Sequence, residues 1–230
     1  MTEKRRQYFI CFGLIALLLA VDQAVKIWVK TTFAIGEGVN LIGEWCQLYF
    51  VENEGIAFGI SFGQETGKLL LTLFRLVASV CIVIFLVNRI NKGARTLFLV
   101  SISLIFVGAV GNLLDCCFYG LIFSESAVDQ VAMLFPDGGG YGRFLYGKVV
   151  DMFYFPLFEW YWPDWVPMFG GKHAEFFNAI FNVADASVCV GIALLFIDQL
   201  KNDKKKTDEE AEKEEVAVVE GELASTKADF

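Results

Sequence analysis

The chain has 230 residues, 56% of them hydrophobic, with 23 phenylalanines, a mean hydropathy of +0.52 and a formal net charge of −8. A soluble domain of this length would carry more charge and fewer large apolar side chains, so an ordinary soluble globule is excluded. Half of the negative charge lies in residues 201–230, where six lysines stand against ten acids, so the total says little about partners.

The first apolar run, YFICFGLIALLLAV (8–21), continues through Asp22 and Lys26 to Trp28. It follows a basic start, MTEKRR, as a secretory signal would, but no small-residue cleavage site follows it, so it reads as a retained anchor. Loop 30–67 contains WCQLYFVENEGIAFGISFG, whose aromatic and β-branched residues punctuated by glycine predict short strands or a turn near the membrane interface. Runs 69–87 and 97–114 follow, joined by a short link holding Arg89, Lys92 and Arg95. Loop 116–175 combines a glycine-rich stretch, FPDGGGYGRF, with DMFYFPLFEWYWPDWVPMF, an aromatic segment suited to the outer membrane boundary. A fourth run spans about 176–197.

Each run approaches the ~20 residues needed to cross the hydrocarbon. The expected fold class is an all-α membrane protein with four transmembrane helices, a small extracytoplasmic β-rich loop region and an interfacial aromatic segment. The domain division is a transmembrane unit over 1–200 and an acidic, disordered cytoplasmic tail over 201–230. Basic residues before helix 1, between helices 2 and 3 and after helix 4 put both termini in the cytoplasm and both long loops outside.

Polar residues gather at the outer helix ends. Asp22 and Lys26 are four apart on one face of helix 1. Asn53 follows a strand-like stretch. Asn112 and Asp115 are three apart at the end of helix 3, Asp151 precedes the aromatic segment, and Asn178, Asn182 and Asp185 share a face of helix 4. Singly, each has a structural reading: Asp22–Lys26 as a helix-stabilising pair, Asn112 and Asn182 as links between helices, Asp115 as a cap, Arg75 as a snorkelling cation. Asp185 is the hardest to dismiss, because an intramembrane carboxylate normally faces a bundle interior or a wet cavity. Together they predict a polar cavity opening outward. The six cysteines form no C-x-x-C pair, and the one histidine, His173, lies on a loop, so no zinc site, disulfide framework or His-based triad is expected.

With these residues on the page, the chain resembles the lipoprotein signal peptidase family, signal peptidase II, over about residues 8–198. The resemblance rests on DQAVK (22–26), NEGIAFG (53–59), GNLLD (111–115), GKVVDMF (147–153) and FNVADASV (181–188) in this order among four helices. The long stretch between GNLLD and GKVVD resembles Bacteroidetes-type versions. The resemblance implies an aspartic endopeptidase of the bacterial inner membrane, with its active site toward the periplasmic face and Asp151 and Asp185 as catalytic residues. Its substrates would be diacylglyceryl-modified prolipoproteins, cut before the lipidated cysteine. Asp22, Lys26, Asn53, Asn112, Asp115 and Asn182 match positions lining or supporting the site. The family commonly has arginine after the GN-x-x-D aspartate; here that residue is Cys116, and Arg75 and Arg143 are the candidates for its place. No metal or cofactor is implied, the partners are substrate and membrane lipid with no nucleic acid, and a monomer is expected.

Two carboxylates sharing one proton suit this chemistry, one activating water and the other polarising the scissile carbonyl. The rival reading is a small transporter or proton-path protein using the same carboxylates, which broken helices and paired repeats would favour. A structural membrane subunit would need no convergence of Asp151 and Asp185.

Overall fold

The computed structural model describes residues 2–54 and 64–204. The elements run α1 (Glu3–Lys30), β1 (Gly38–Ile42), β2 (Cys46–Asn53), α2 (Gln64–Asn91), α3 (Thr96–Leu114), a π-helical turn (Asp115–Tyr119) and the short α4 (Gly120–Ile122). Then come β3 (Val149–Tyr154), β4 (Phe158–Tyr161), β5 (His173–Phe176), β6 (Ile180–Phe181) and α5 (Val183–Lys204). Four helices are long and apolar enough to cross a membrane: α1, α2, α3 extended through α4, and α5. α1 and α2 have 28 residues each, about 42 Å of helix, close to the roughly 40–45 Å of a bilayer with its headgroups.

α2 stops where Gly93 takes φ +70°, its neighbour Ala94 donating back to the Arg89 carbonyl at 3.1 Å. This left-handed C-cap turns the chain directly into α3. The Gln7 side chain donates to Ala94 O at 2.9 Å, and Arg95 pairs with Asp198 at 2.7 Å. The start of α1, the α2–α3 link and the far part of α5 therefore meet at one end of the bundle. Just inside that end, Cys11, Ile15, Leu86, Ile90, Leu99 and Val107 form an apolar core.

The opposite end carries an antiparallel sheet of order β1-β2-β3-β6, with β4 and β5 as a separate hairpin. Along β2 the alternate residues Cys46, Leu48 and Phe50 are buried. Phe50 packs with Val29 of α1, Tyr119 and Phe123 beyond α3, and Val150 and Met152 of β3. All four residues Val149–Met152 are buried, so both faces of this part of β3 are covered. Gly147, just before β3, approaches so closely that a Cβ there would lie 2.0 Å from the Asp115 carbonyl oxygen.

Three expectations need correction. The protein is not all-α, because a four-stranded sheet caps the bundle and supplies part of the site. The fourth membrane helix begins at Val183, not near 176, because 173–176 and 180–181 are spent on strands. Asn178 thus lies between β5 and β6 and shares no helix face with Asn182 and Asp185. The helix runs on to Lys204. Residues 205–230, and the glycines at 55, 59 and 63, lie outside the described residues.

Candidate active site

The first turn of α5 is where the site is built. Asn182 is the N-cap: its Oδ1 accepts from Asp185 N at 2.9 Å. Asp185 Oδ2 in turn accepts from Asn182 N at 3.4 Å, a long reciprocal capping contact. Asp185 therefore stands in the first helical turn, at the positive end of the helix, and not deep in a membrane span. Asp22, from α1, accepts from Ala184 N at 2.9 Å and satisfies a second orphan donor of the same turn.

Asn182 also joins the two candidate catalytic carboxylates. Its Nδ2 donates to Asp151 Oδ1 at 2.6 Å and to Asn112 Oδ1 at 3.0 Å. Asn112 Nδ2 donates to Asp185 Oδ1 at 2.8 Å. Two carboxamides, from α3 and the α5 cap, thus hold one oxygen of each aspartate. Asp151 reaches this point because β3 pairs with β2 in the register Val51↔Asp151 and Asn53↔Val149. That register sets Asn53 diagonal to Asp151 on the same sheet face, and the Asn53 side chain hydrogen bonds to its carboxylate.

Asp151 is 3% exposed. Its carboxyl is pushed up from 3.8 to about 7, first by burial and then by the nearby charge of Asp185. Hydrogen bonds from Asn182 and Asn53, and the Lys26 cation, act in the opposite direction. An aspartate near 7 beside a second carboxylate is suited to holding a shared proton at neutral pH.

Behind the pair lies a fully buried ionic cluster. Lys26 Nζ is 3.0 Å from Asp22 Oδ2, 2.8 Å from Asp115 Oδ2 and 2.9 Å from Asn112 Oδ1. Asp115 also accepts from Val150 N at 3.3 Å, tying the end of α3 to β3. The π-helical turn starting at Asp115 adds a residue to the helical path, as such turns often do beside functional sites.

All eight site residues expected from the sequence converge here: Asp151, Asp185, Asn53, Asn112, Asn182, Asp22, Lys26 and Asp115. The sequence reading missed Gln23. Its Nε2 donates to Asp115 Oδ1 at 2.9 Å and to Asp22 Oδ2 at 3.1 Å, while its Oε1 accepts from Tyr119 OH at 3.1 Å. A neutral amide inside an apolar helix was the available signal, overshadowed by the charges flanking it. A second buried cluster joins Lys30 to Glu52 and to Ser126, which lies 2.8 Å from the ammonium. Of the two arginine candidates, Arg143 pairs with Glu65 at the surface, both largely exposed. Arg75 reaches across from α2 and donates to Cys116 Sγ at 3.4 Å. Among the described residues no cluster of His, Cys, Asp and Glu has the arrangement of a metal site.

Residues 14–201 match the family model described as signal peptidase (SPase) II. The chain is 48% identical over 186 residues to a lipoprotein signal peptidase of Porphyromonas gingivalis, covering 80% of each. It is 34% identical over 202 residues to one of Amoebophilus asiaticus, covering 86% of this chain and 80% of that one. Its fold is similar to that of a bacterial membrane enzyme solved by the in meso method, with TM-score 0.53, 26% identity, and 84% of this chain and 93% of the other covered. A match spanning all four membrane helices and the sheet that brings Asp151 to Asp185 makes the chain a member of the signal peptidase II family.

Proposed function

We propose that the protein removes signal peptides from diacylglyceryl-modified prolipoproteins, with Asp151 and Asp185 as the catalytic pair. The observation that carries this assignment is the Asn182 amide, which donates to Asp151 at 2.6 Å while bonded to the Asn112 that holds Asp185. In this reading Asp185 takes a proton from water as the water oxygen attacks the scissile carbonyl carbon. Asp151, whose proton persists to about pH 7, donates it to the carbonyl oxygen. As the tetrahedral adduct collapses and its C–N bond breaks, one of its hydroxyls returns a proton to Asp151, while Asp185 passes the proton it took from water to the leaving amine, which becomes the new N-terminus at the lipidated cysteine. Asn112, Asn182 and Asn53 keep both carboxylates oriented, and the Lys26 cluster fixes Asn112.

The proposed orientation places the sheet and the aspartate pair at the periplasmic face of the inner membrane and both termini in the cytoplasm. Its support is the gathering of Lys4, Arg5, Arg6, Arg89, Lys92, Arg95, Lys201 and Lys204 toward the bundle end remote from the sheet. The apolar core of that same end speaks against a proton path through the bundle. The protein acts as a monomer in this reading.

The test is single-turnover cleavage of a lipidated prolipoprotein by purified protein. Asp151→Asn and Asp185→Asn are each expected to lower the rate by roughly 10²- to 10⁴-fold or more, with melting in detergent still cooperative. Near-parental turnover in either folded variant refutes the pair.

A further inference from the structure

α2 presents a polar stripe to α3 and the loop before β3. Lys68, Thr72, Arg75 and Ser79 recur at helical spacing. Thr72 and Ser79 satisfy their hydroxyls on their own helix, donating to Lys68 O at 2.8 Å and Arg75 O at 2.7 Å. Around the stripe, Leu73, Phe74, Leu76 and Val77 are exposed, as residues facing lipid would be. At its outer end, Lys68 opens on a cleft of about 460 Å³ also lined by Glu54, Tyr141, Tyr146 and Lys148.

Arg75 is the anomaly. A guanidinium carries five donors, yet among the described residues its hydrogen-bond partner is the Cys116 sulfur, a weak acceptor, and no carboxylate lies within ion-pair distance. An arginine at this depth is costly. Arg75 is 16 residues from the inner end of α2, and Asn112 is 16 residues from the inner end of α3, so both lie roughly 24 Å up antiparallel neighbours. The guanidinium therefore stands level with the aspartate pair, where a substrate cysteine docked with its scissile bond at that pair would carry its glyceryl ester carbonyls.

We propose that Arg75 is a substrate-binding residue that donates guanidinium N–H groups to the ester carbonyl oxygens of the diacylglyceryl group on the substrate cysteine. The inference rests on the reading of Asp151 and Asp185 as the place where the scissile bond docks. It makes α2 the lipid-reading wall of the site and Cys116 the rest that parks the guanidinium between substrates. No covalent step is involved.

The experiment compares two lipopeptide substrates in the full-length protein, one with ester-linked acyl chains and one with ether-linked alkyl chains of the same length. The parent protein is expected to favour the ester substrate by roughly tenfold or more in kcat/KM, mainly through KM, the worth of one charge-assisted hydrogen bond. Arg75→Gln is expected to cut the ester substrate at the slower ether rate and the ether substrate as the parent does. A merely structural arginine would slow both substrates alike. Arg75→Lys, which keeps the charge but loses the fork, carries the same comparison if the glutamine variant does not fold, and a reduced preference is expected. A parent protein indifferent to the linkage, or a preference unchanged in the folded variants, overturns the inference. Cleavage of neither substrate by the parent, or full activity of Asp151→Asn on both, overturns the functional reading and the inference with it, whereas an unchanged linkage preference in the Arg75 variants beside a dead Asp151→Asn overturns the inference alone.

Discussion

If Asp151 is one of the catalytic pair, as proposed, one proton ties catalysis to stability. The Asp151 carboxyl titrates near 7 in the fold against 3.8 ordinarily, so the folded state binds more protons than the unfolded state between these values. Stability conferred by the protonated form is therefore present at low pH and lost as pH rises from about 4 through 7, on the order of 4 kcal/mol over the window. The measurement is melting in detergent from pH 4 to 8. The parent should lose stability relative to Asp151→Asn across that range, and parallel curves would contradict the assignment. Asn182→Ser gives a second check. Serine keeps an N-cap for α5 but not the 2.6 Å bond that favours the charged Asp151, so the alkaline limb of the cleavage profile should move to higher pH, with a lower melting temperature because Asn112 Oδ1 and the Val150 carbonyl also lose the Asn182 donor. Lys26→Met, by contrast, leaves Asp22 and Asp115 buried beside each other without their cation. It should cost roughly 3–5 kcal/mol, read as lost yield and melting temperature.

Among the elements, the packing of α3 on α5 sets the distance between Asn112 and Asp185. A Cβ at Gly108 would lie 2.0 Å from Val188 Cγ2 and 2.7 Å from the Ala184 carbonyl oxygen. Gly108→Leu should therefore pry the helices apart and lower both cleavage and melting, whereas Gly13→Leu, with nothing within 4 Å, should be tolerated in both assays. Equal effects would place the α3–α5 contact elsewhere. Helix number, the Asp22–Lys26 spacing and the presence of short strands or a turn within 45–63 were legible in the sequence, because period and apolar length are local properties. The start of α5 was not. FFNAIFNVADASV reads equally as buried helix or strand, and the pairing of Ile180 and Phe181 with Tyr154 and Phe153 decides for strand. That tertiary choice moved Asp185 from mid-helix to a capped first turn. The convergence of Asp151 on Asn182 was likewise invisible locally, since it depends on the register of β3 against β2.

For the whole molecule, the two ends of the bundle differ in kind: apolar core and basic residues at one, sheet and carboxylates at the other. The proposed orientation predicts that a single cysteine placed in 136–142, in a background lacking the native six, reacts with an impermeant reagent added outside intact spheroplasts. Reaction only after the inner face is opened would reverse the topology and the side from which substrate enters.

Asp22 caps the first turn of α5 across 162 residues of chain. The consequence concerns biosynthesis. Asp22, Lys26 and Asp115, which pair in the complete fold, are all synthesised before Asn182 and Asp185. With Asp151 and Asp185 as the proposed pair, a nascent chain with three helices inserted would lack a working proteolytic centre. On the proposed reading, activity would begin only with the final insertion event, and an incompletely threaded copy would be inert.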